Sequence, residues 1–173
     1  MKYKIIDNFL PQDTFDSIKR TILGPSFPWC YNSFSASSEE DRIKYQYYQQ
    51  FTHYFYRDHT NFSDWFTLLE PLFLKLNTSA LFRIKANLYT ATNRLIIPDY
   101  HTDFEYFSGK IAVFYVNTND GFTLFKDGIK IESIENRLLV FDPDMAHTGT
   151  TCTDCHVRCV INIMFYQWNN STL

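Results

Sequence analysis

Apolar and polar residues alternate one for one from Leu81 to Tyr89, and short apolar runs recur at 109–117, 121–126, 128–132, 137–142 and 156–168, separated by Asn, Asp, Gly and Pro. A period of two over short segments marks half-buried strands, because successive side chains leave a strand on opposite faces. The first eighty residues have a different texture. Tyr3 to Asp7 reads as a short strand, and Asn8-Phe9-Leu10-Pro11 leads into a helix with Phe15, Ile18, Ile22 and Leu23 on one side. Gln12 or Asp13 can cap that helix, and Gly24-Pro25 ends it. Asn61 or Ser63 opens a second helix to about Leu76, with Trp65, Leu68, Leu69, Leu72, Phe73 and Leu76 as its apolar stripe and Pro71 kinking or splitting it. Residues 25–60 read as a surface loop followed by a strand or an irregular layer. Helices first and many short strands afterwards predict an α+β domain whose C-terminal half is a sandwich or jelly roll.

A chain of 173 residues, 45% of them apolar, has room for one domain, 1–173, with a sizeable core. The net charge of −3 and the 16 Lys and Arg argue against a protein that coats nucleic-acid phosphates or anionic lipid. No stretch reaches the ~20 apolar residues of a membrane span, and the opening MKYKIIDNFLPQD lacks a secretion signal, so the expectation is a soluble cytoplasmic protein. The aromatic share of 18% favours pleated surfaces and concave pockets over helical bundles. Four cysteines, at 30, 152, 155 and 159, read as reduced thiols. Cys152-Thr-Asp-Cys155 has the spacing of one zinc knuckle, but no second ligand pair accompanies it. The plainer reading is a polar turn from Thr150 to Asp154 entering the last strand.

The candidate chemistry lies in the β-rich half. In His101-Thr102-Asp103 an extended chain sets an imidazole and a carboxylate on one face, and His147 follows the apolar run Leu138-Leu139-Val140-Phe141. Two His and one carboxylate leave one face of an octahedral ion open, which suits non-haem Fe(II). On the last strand Arg158, Val160, Asn162 and Met164 share a face, with Cys159, Ile161, Ile163 and Phe165 opposite. An inward Arg158 needs an anionic partner and is shaped to grip a carboxylate through two N–H groups. On the 81–89 strand Arg83, Lys85, Asn87 and Tyr89 form a polar face against Phe82, Ile84, Ala86 and Leu88. His53 and His59 read as surface or packing residues. The aromatic group Tyr45, Tyr47, Tyr48, Phe51, Tyr54, Phe55 and Tyr56 either lines a substrate mouth or packs helix on sheet.

These motifs, in this order, resemble the Fe(II)/2-oxoglutarate-dependent dioxygenases of the prolyl-hydroxylase-like branch, and are similar to small oxygenases of that branch encoded by marine bacteriophages. His101-Thr102-Asp103 resembles the family's H-x-D, and Phe114-Tyr115-Val116-Asn117 its aromatic-Tyr-Leu-Asn strand. Asp120-Gly121 stands where a Gly-Gly doublet is usual. Asn136-Arg137-Leu138-Leu139-Val140-Phe141 precedes the distal His147, and Arg158-Cys159-Val160-Ile161-Asn162-Ile163 is similar to the closing strand. The likeness covers roughly 81–166, with Ile5 to Pro11 resembling the family's N-terminal strand and helix start. It implies a double-stranded β-helix (jelly-roll core 81–168) supported by N-terminal helices within 1–80, and Fe(II) held by His101, Asp103 and His147. It further implies 2-oxoglutarate bound by Arg158 with Tyr115, Tyr89, Asn87 and Asn162 nearby, O2 as oxidant, and ascorbate as an optional reductant. The reaction implied is hydroxylation of a small-molecule or protein substrate, a prolyl or other amino-acid residue, a nucleobase or a small metabolite among the options; no membrane partner is expected, the net charge disfavours nucleic acid, and a viral origin would place the protein in host cytoplasm. The rival reading is a non-catalytic cupin-like jelly-roll binding module.

Overall fold

The computed structural model describes residues 2–32, 49–103 and 106–168. Tyr45, Tyr47 and Tyr48 lie outside the described residues. The rest form two antiparallel sheets and two helical segments.

The larger sheet has the order β1-β9-β6-β11-β5-β3-β2, with β4 on the outer side of β3. Its strands are β1 (Tyr3–Ile6), β2 (Cys30–Asn32), β3 (Gln50–Arg57), β4 (Thr60–Asn61), β5 (Thr78–Thr90), β6 (Lys110–Tyr115), β9 (Leu138–Phe141) and β11 (Val157–Gln167). The smaller sheet is β10 (His147–Gly149), β7 (Asn119–Phe125) and β8 (Lys130–Ser133). Two facing antiparallel sheets whose strands cross over between them are the layers of a jelly roll. The three residues of β10, too few for an alternation to register, are absent from the sequence-predicted strands.

Side-chain parity on β11 sorts the interior into two cores. Cys159, Ile161, Ile163 and Phe165 face the helices, packing with Phe15, Ile18, Ile22, Leu72 and Leu76. Val160 and Met164 face the smaller sheet, among Ile111, Val113, Tyr115, Phe125 and Ile131. Each buried aliphatic or aromatic side chain stabilises the fold by about 1.5–3 kcal/mol, so both faces of the larger sheet are held.

Three local expectations are corrected. Helix α1 (Gln12–Ile22) has Pro11 at its N-cap and no side-chain cap. The Pro11 carbonyl accepts from Phe15 N–H at 3.0 Å, while Gln12 turns its amide to Asp16. The second helical segment opens at Phe66 with no side-chain cap, not at Asn61, which lies in β4, or at Ser63. As one of the two expected outcomes had it, the segment splits near Pro71: a 3-10 turn, Phe66–Leu69, precedes α2 (Glu70–Leu76), which carries that proline in its first turn, where no N–H is needed. Phe82 does not share a face with Ile84. Across β11 the register passes from Arg83 opposite Met164 to Leu81 opposite Phe165, so Leu81 packs with the helices and Phe82 with the inner core against Phe107. A bulge adds one residue and thereby reverses the faces beyond it.

His53 is a packing residue. Its ring lies in the aromatic layer between Phe27 and Phe55, bonded at one nitrogen to the Pro28 carbonyl and at the other to Ser63 Oγ. His59 is exposed in the β3–β4 turn. No described helix is long and apolar enough to cross a membrane.

Candidate active site

Between the two sheets, the inner face of β5 presents Arg83, Lys85, Asn87 and Tyr89 in sequence. Each stands opposite an inner residue of β11: Met164, Asn162, Val160 and Arg158. The polar face expected from alternation is therefore real, and it runs the length of the barrel interior.

At one end, His101 pairs with His147 through two backbone hydrogen bonds of 3.0 and 2.9 Å, which sets their rings 4.9 Å apart. His147 is buried against Phe141. Its Nδ1 faces the Met145 carbonyl at 3.0 Å; a proton there leaves Nε2 as a lone pair, 3.6 Å from Asp103 Oδ2. Asp103 Oδ1 accepts from Arg83 Nη2 at 2.7 Å, whereas buried Oδ2 has no hydrogen-bond partner among the described residues. Removal from water holds His101 below the usual imidazole range, and His147 adds to this while Asp103 opposes it. His101 is thus available as a neutral donor. The three predicted ligands are neighbours, yet among the described residues no three His, Cys, Asp or Glu side chains already converge on one point.

At the other end lies Arg158, 1% exposed. Its Nε donates to Ser133 Oγ at 2.9 Å and its Nη2 reaches Thr123 Oγ1 at 3.4 Å. Its guanidinium carbon is 5.9 Å from the ring centres of both Tyr89 and Tyr115. No described carboxylate pairs with it. A buried, unneutralised cation is costly, and two hydroxyls compensate it only in part. Tyr115 donates its hydroxyl to Thr123 at 2.8 Å, and burial raises its phenol above the ordinary range, so it stays a donor at neutral pH.

Two glycines clear the space around this cation. A Cβ at Gly121 would lie 2.6 Å from Arg158 Cδ and 2.5 Å from the Thr151 carbonyl; one at Gly149 would lie 3.3 Å from Arg158 Nη1. Gly149 and His147 share a face of β10, two residues apart, a spacing of about 6.6 Å. The strand that carries the candidate metal ligand therefore also borders the guanidinium.

The expected neighbours Asn87 and Tyr89 are both engaged by Gln50, whose amide donates to Asn87 Oδ1 at 3.0 Å and to the Tyr89 hydroxyl at 2.8 Å. Asn162 lies farther along β11, opposite Lys85, with a buried Oδ1 that lacks a partner among the described residues. Sequence reasoning missed Arg83 as the partner of Asp103, Ser133 and Thr123 as those of Arg158, and Gln50. Ser133 carried a signal: it shares strand parity with Ile131 on β8, a polar residue at a buried position.

The cysteines do not form a cluster. Cys152 and Cys155 have their sulfurs 3.6 Å apart in the turn before β11, but Cys159 is turned into the helix-facing core. That turn is pinned to β7 by Asp120, whose carboxylate accepts from the backbone N–H and the hydroxyl of Thr153.

Fold and site together define an antiparallel double-stranded β-helix with His, carboxylate and Arg side chains inside it. Solved structures share this fold. A prolyl hydroxylase from Trichoplax adhaerens, in complex with a hypoxia inducible factor oxygen degradation domain peptide fragment, superposes with TM-score 0.65 at 15% identity over 96% of this chain and 84% of that one. A Pseudomonas putida prolyl-4-hydroxylase gives 0.57 at 16% identity over 96% and 93%. An oxidoreductase of the 2OG-Fe(II) oxygenase family from Burkholderia pseudomallei gives 0.64 at 10% identity over 99% and 88%. No protein-family model and no curated protein sequence matches the chain.

Proposed function

We propose that the protein is a non-haem Fe(II) and 2-oxoglutarate-dependent dioxygenase that hydroxylates a substrate C–H bond. The observation that carries this reading is Arg158: a buried cation with no carboxylate partner among the described residues, bordered by Gly149 on the strand that carries His147. The far carboxylate of 2-oxoglutarate would supply the missing charge. The donor set fits Fe(II), with two imidazoles and a carboxylate whose buried Oδ2 has no hydrogen-bond partner among the described residues. His101, Asp103 and His147 would hold the ion. Bound there with 2-oxoglutarate, the ion supplies oxygen activation coupled to release of succinate and carbon dioxide.

The chain's own residues do the positioning. The Met145 carbonyl fixes the His147 tautomer, and Arg83 orients Asp103 by one oxygen. Tyr115 and Thr123 set a hydroxyl pair beside Arg158, and Gln50 braces Tyr89 and Asn87. The inner core around Val160 and Met164 keeps water from the diacid's carbon chain. Arg83 answers a carboxylate at position 103, which favours hydroxylation, the outcome expected when an acidic ligand occupies that place. The likeness to bacteriophage oxygenases rests on the sequence motifs alone. Ascorbate as reductant and the cytoplasm as location belong to this proposal as well.

The test is anaerobic addition of Fe(II) and 2-oxoglutarate. A weak visible charge-transfer band should develop, absent in Asp103→Ala and in Arg158→Met at the same 2-oxoglutarate concentration, and succinate should form on admitting oxygen. Folded wild-type protein with neither band nor succinate refutes the enzyme and leaves the jelly-roll binding module.

A further inference from the structure

The middle of the barrel interior holds more positive charge than this chemistry uses. Lys85 sits on β5 between the Arg158 end and the Asp103 end, with Asn162 of β11 opposite on one side and Tyr54 of β3 on the other. Long lysines at sheet edges extend their ammonium groups sideways into water. Lys85 is on a strand flanked by two others, faces inward and is half-buried, so that route is restricted. Its Nζ has no hydrogen bond or ion pair among the described residues; its nearest aromatic is the Tyr54 ring, 5.8 Å from centroid to Nζ. Next to it Arg83 gives one N–H to Asp103 and keeps a buried Nε that has no partner among the described residues, and Asn162 keeps a buried Oδ1 in the same condition.

Charge accounting sharpens the point. With the far carboxylate of 2-oxoglutarate on Arg158, its other end on Fe(II), and Asp103 beside Arg83, Lys85 is the cation of this inner face that has no anion next to it among the described residues, in a site where screening by water is weak. Arg83 shares its charge with Asp103 at 2.7 Å, which makes Lys85 the group left over.

We propose that Lys85, with the free edge of Arg83 beside it, receives a carboxylate of the primary substrate. This deepens the oxygenase reading and rests on it. A carboxylate is favoured over a phosphate because one full positive charge is unspent, and because Asn162 Oδ1 offers an acceptor for an N–H on the same molecule. The substrate class is accordingly an acid bearing an N–H donor: a free amino acid, or an acidic residue within a peptide.

The experiment uses full-length protein loaded with Mn(II) and 2-oxoglutarate, which binds without turning over. Calorimetry compares free L-amino acids with their carboxamides, and end-capped tripeptides centred on Asp with those centred on Gln. At least one carboxylate compound should bind tenfold or more tightly than its uncharged counterpart; which arm does so separates a small acid from a peptide side chain. Lys85→Met should abolish the preference and Lys85→Arg restore part of it. Equal binding of the uncharged counterparts, or no binding by any carboxylate compound, overturns the proposal. So does a Lys85→Met variant whose 2-oxoglutarate affinity falls as far as its acid affinity, since that places the lysine on the co-substrate. Failure of wild-type protein to bind 2-oxoglutarate with Mn(II) is a separate measurement and refutes the oxygenase reading instead.

Discussion

A methyl group added at Gly121 has nowhere to go. Its carbon would meet the Thr151 carbonyl at 2.5 Å, Arg158 Cδ at 2.6 Å and Asn119 Oδ1 at 2.8 Å, against an ordinary heavy-atom contact of about 3.5 Å. Two of these neighbours resist. Thr151 O is backbone, in a segment tied at its N–H to the Ile96 carbonyl, and Asn119 Oδ1 accepts from the N–H of Gly121 itself. Arg158 must give way, by roughly 1 Å at Cδ, and its guanidinium moves with it. Overpacking of this kind costs about 2 kcal/mol, which for a chain of this size lowers the melting temperature by about 4–8 °C. The functional loss should be larger, because a displaced guanidinium forfeits charge-assisted hydrogen bonds worth about 1.5–3 kcal/mol each, or ten- to a hundredfold in 2-oxoglutarate affinity. Gly149→Ala is the control. Its Cβ sits 3.3 Å from Nη1 and asks for only a few tenths of an ångström, so the melt should barely move while affinity falls modestly. Thermal denaturation with and without 2-oxoglutarate, on Mn(II)-loaded protein, reads both effects. Wild-type stability in Gly121→Ala refutes the packing argument. Wild-type 2-oxoglutarate affinity in that variant refutes the role given to Arg158.

Two further predictions concern the support of the barrel. Asn136 holds φ at 58° and clamps Leu10 through both side-chain atoms, at 2.9 and 2.8 Å, so Asn136→Ala loses two buried hydrogen bonds and the αL preference; it should cost about 3 kcal/mol, and a loss under 1 kcal/mol in urea unfolding would contradict the clamp. Burial holds the His53 imidazole below its ordinary range, the Pro28 carbonyl opposing, so the unfolded chain binds the proton more tightly. Stability from this residue is present above about pH 6.5 and lost as pH falls through the folded-state value. The drop in melting temperature from pH 7.5 to 5.5 should therefore shrink in His53→Gln, and an unchanged drop would assign it to other groups.

Much of the strand content was written in local alternation. The parity of Arg158 to Phe165 on β11 is as the sequence implies, because a central strand buried on both faces leaves each side chain only one side to occupy. Phe82 breaks the pattern at a bulge, which local periodicity cannot signal because the extra residue is defined by the partner strand. Pro11 displaced the expected caps for a related reason: its carbonyl and fixed φ already serve the first turn, so neither Gln12 nor Asp13 is needed. β10 is held by pairing with β7 and by the His101–His147 bridge, and three residues carry no period.

The same division runs through the site. The sequence by itself determined which chemistry was on offer: His101 and Asp103 two apart on an extended chain, His147 after an apolar run, and an arginine at an inward parity on the closing strand. Tertiary structure decided who attends them. Arg83 reaches Asp103 across a long loop, Ser133 and Thr123 come to Arg158 from the opposite sheet, and Gln50 engages two expected co-substrate residues from β3. These partners lie far apart in the chain and are joined only by sheet pairing and barrel closure. Residue type and spacing report what a side chain can do; the fold alone determines which charge lies next to it, and hence that among the described residues no carboxylate pairs with Lys85 or Arg158.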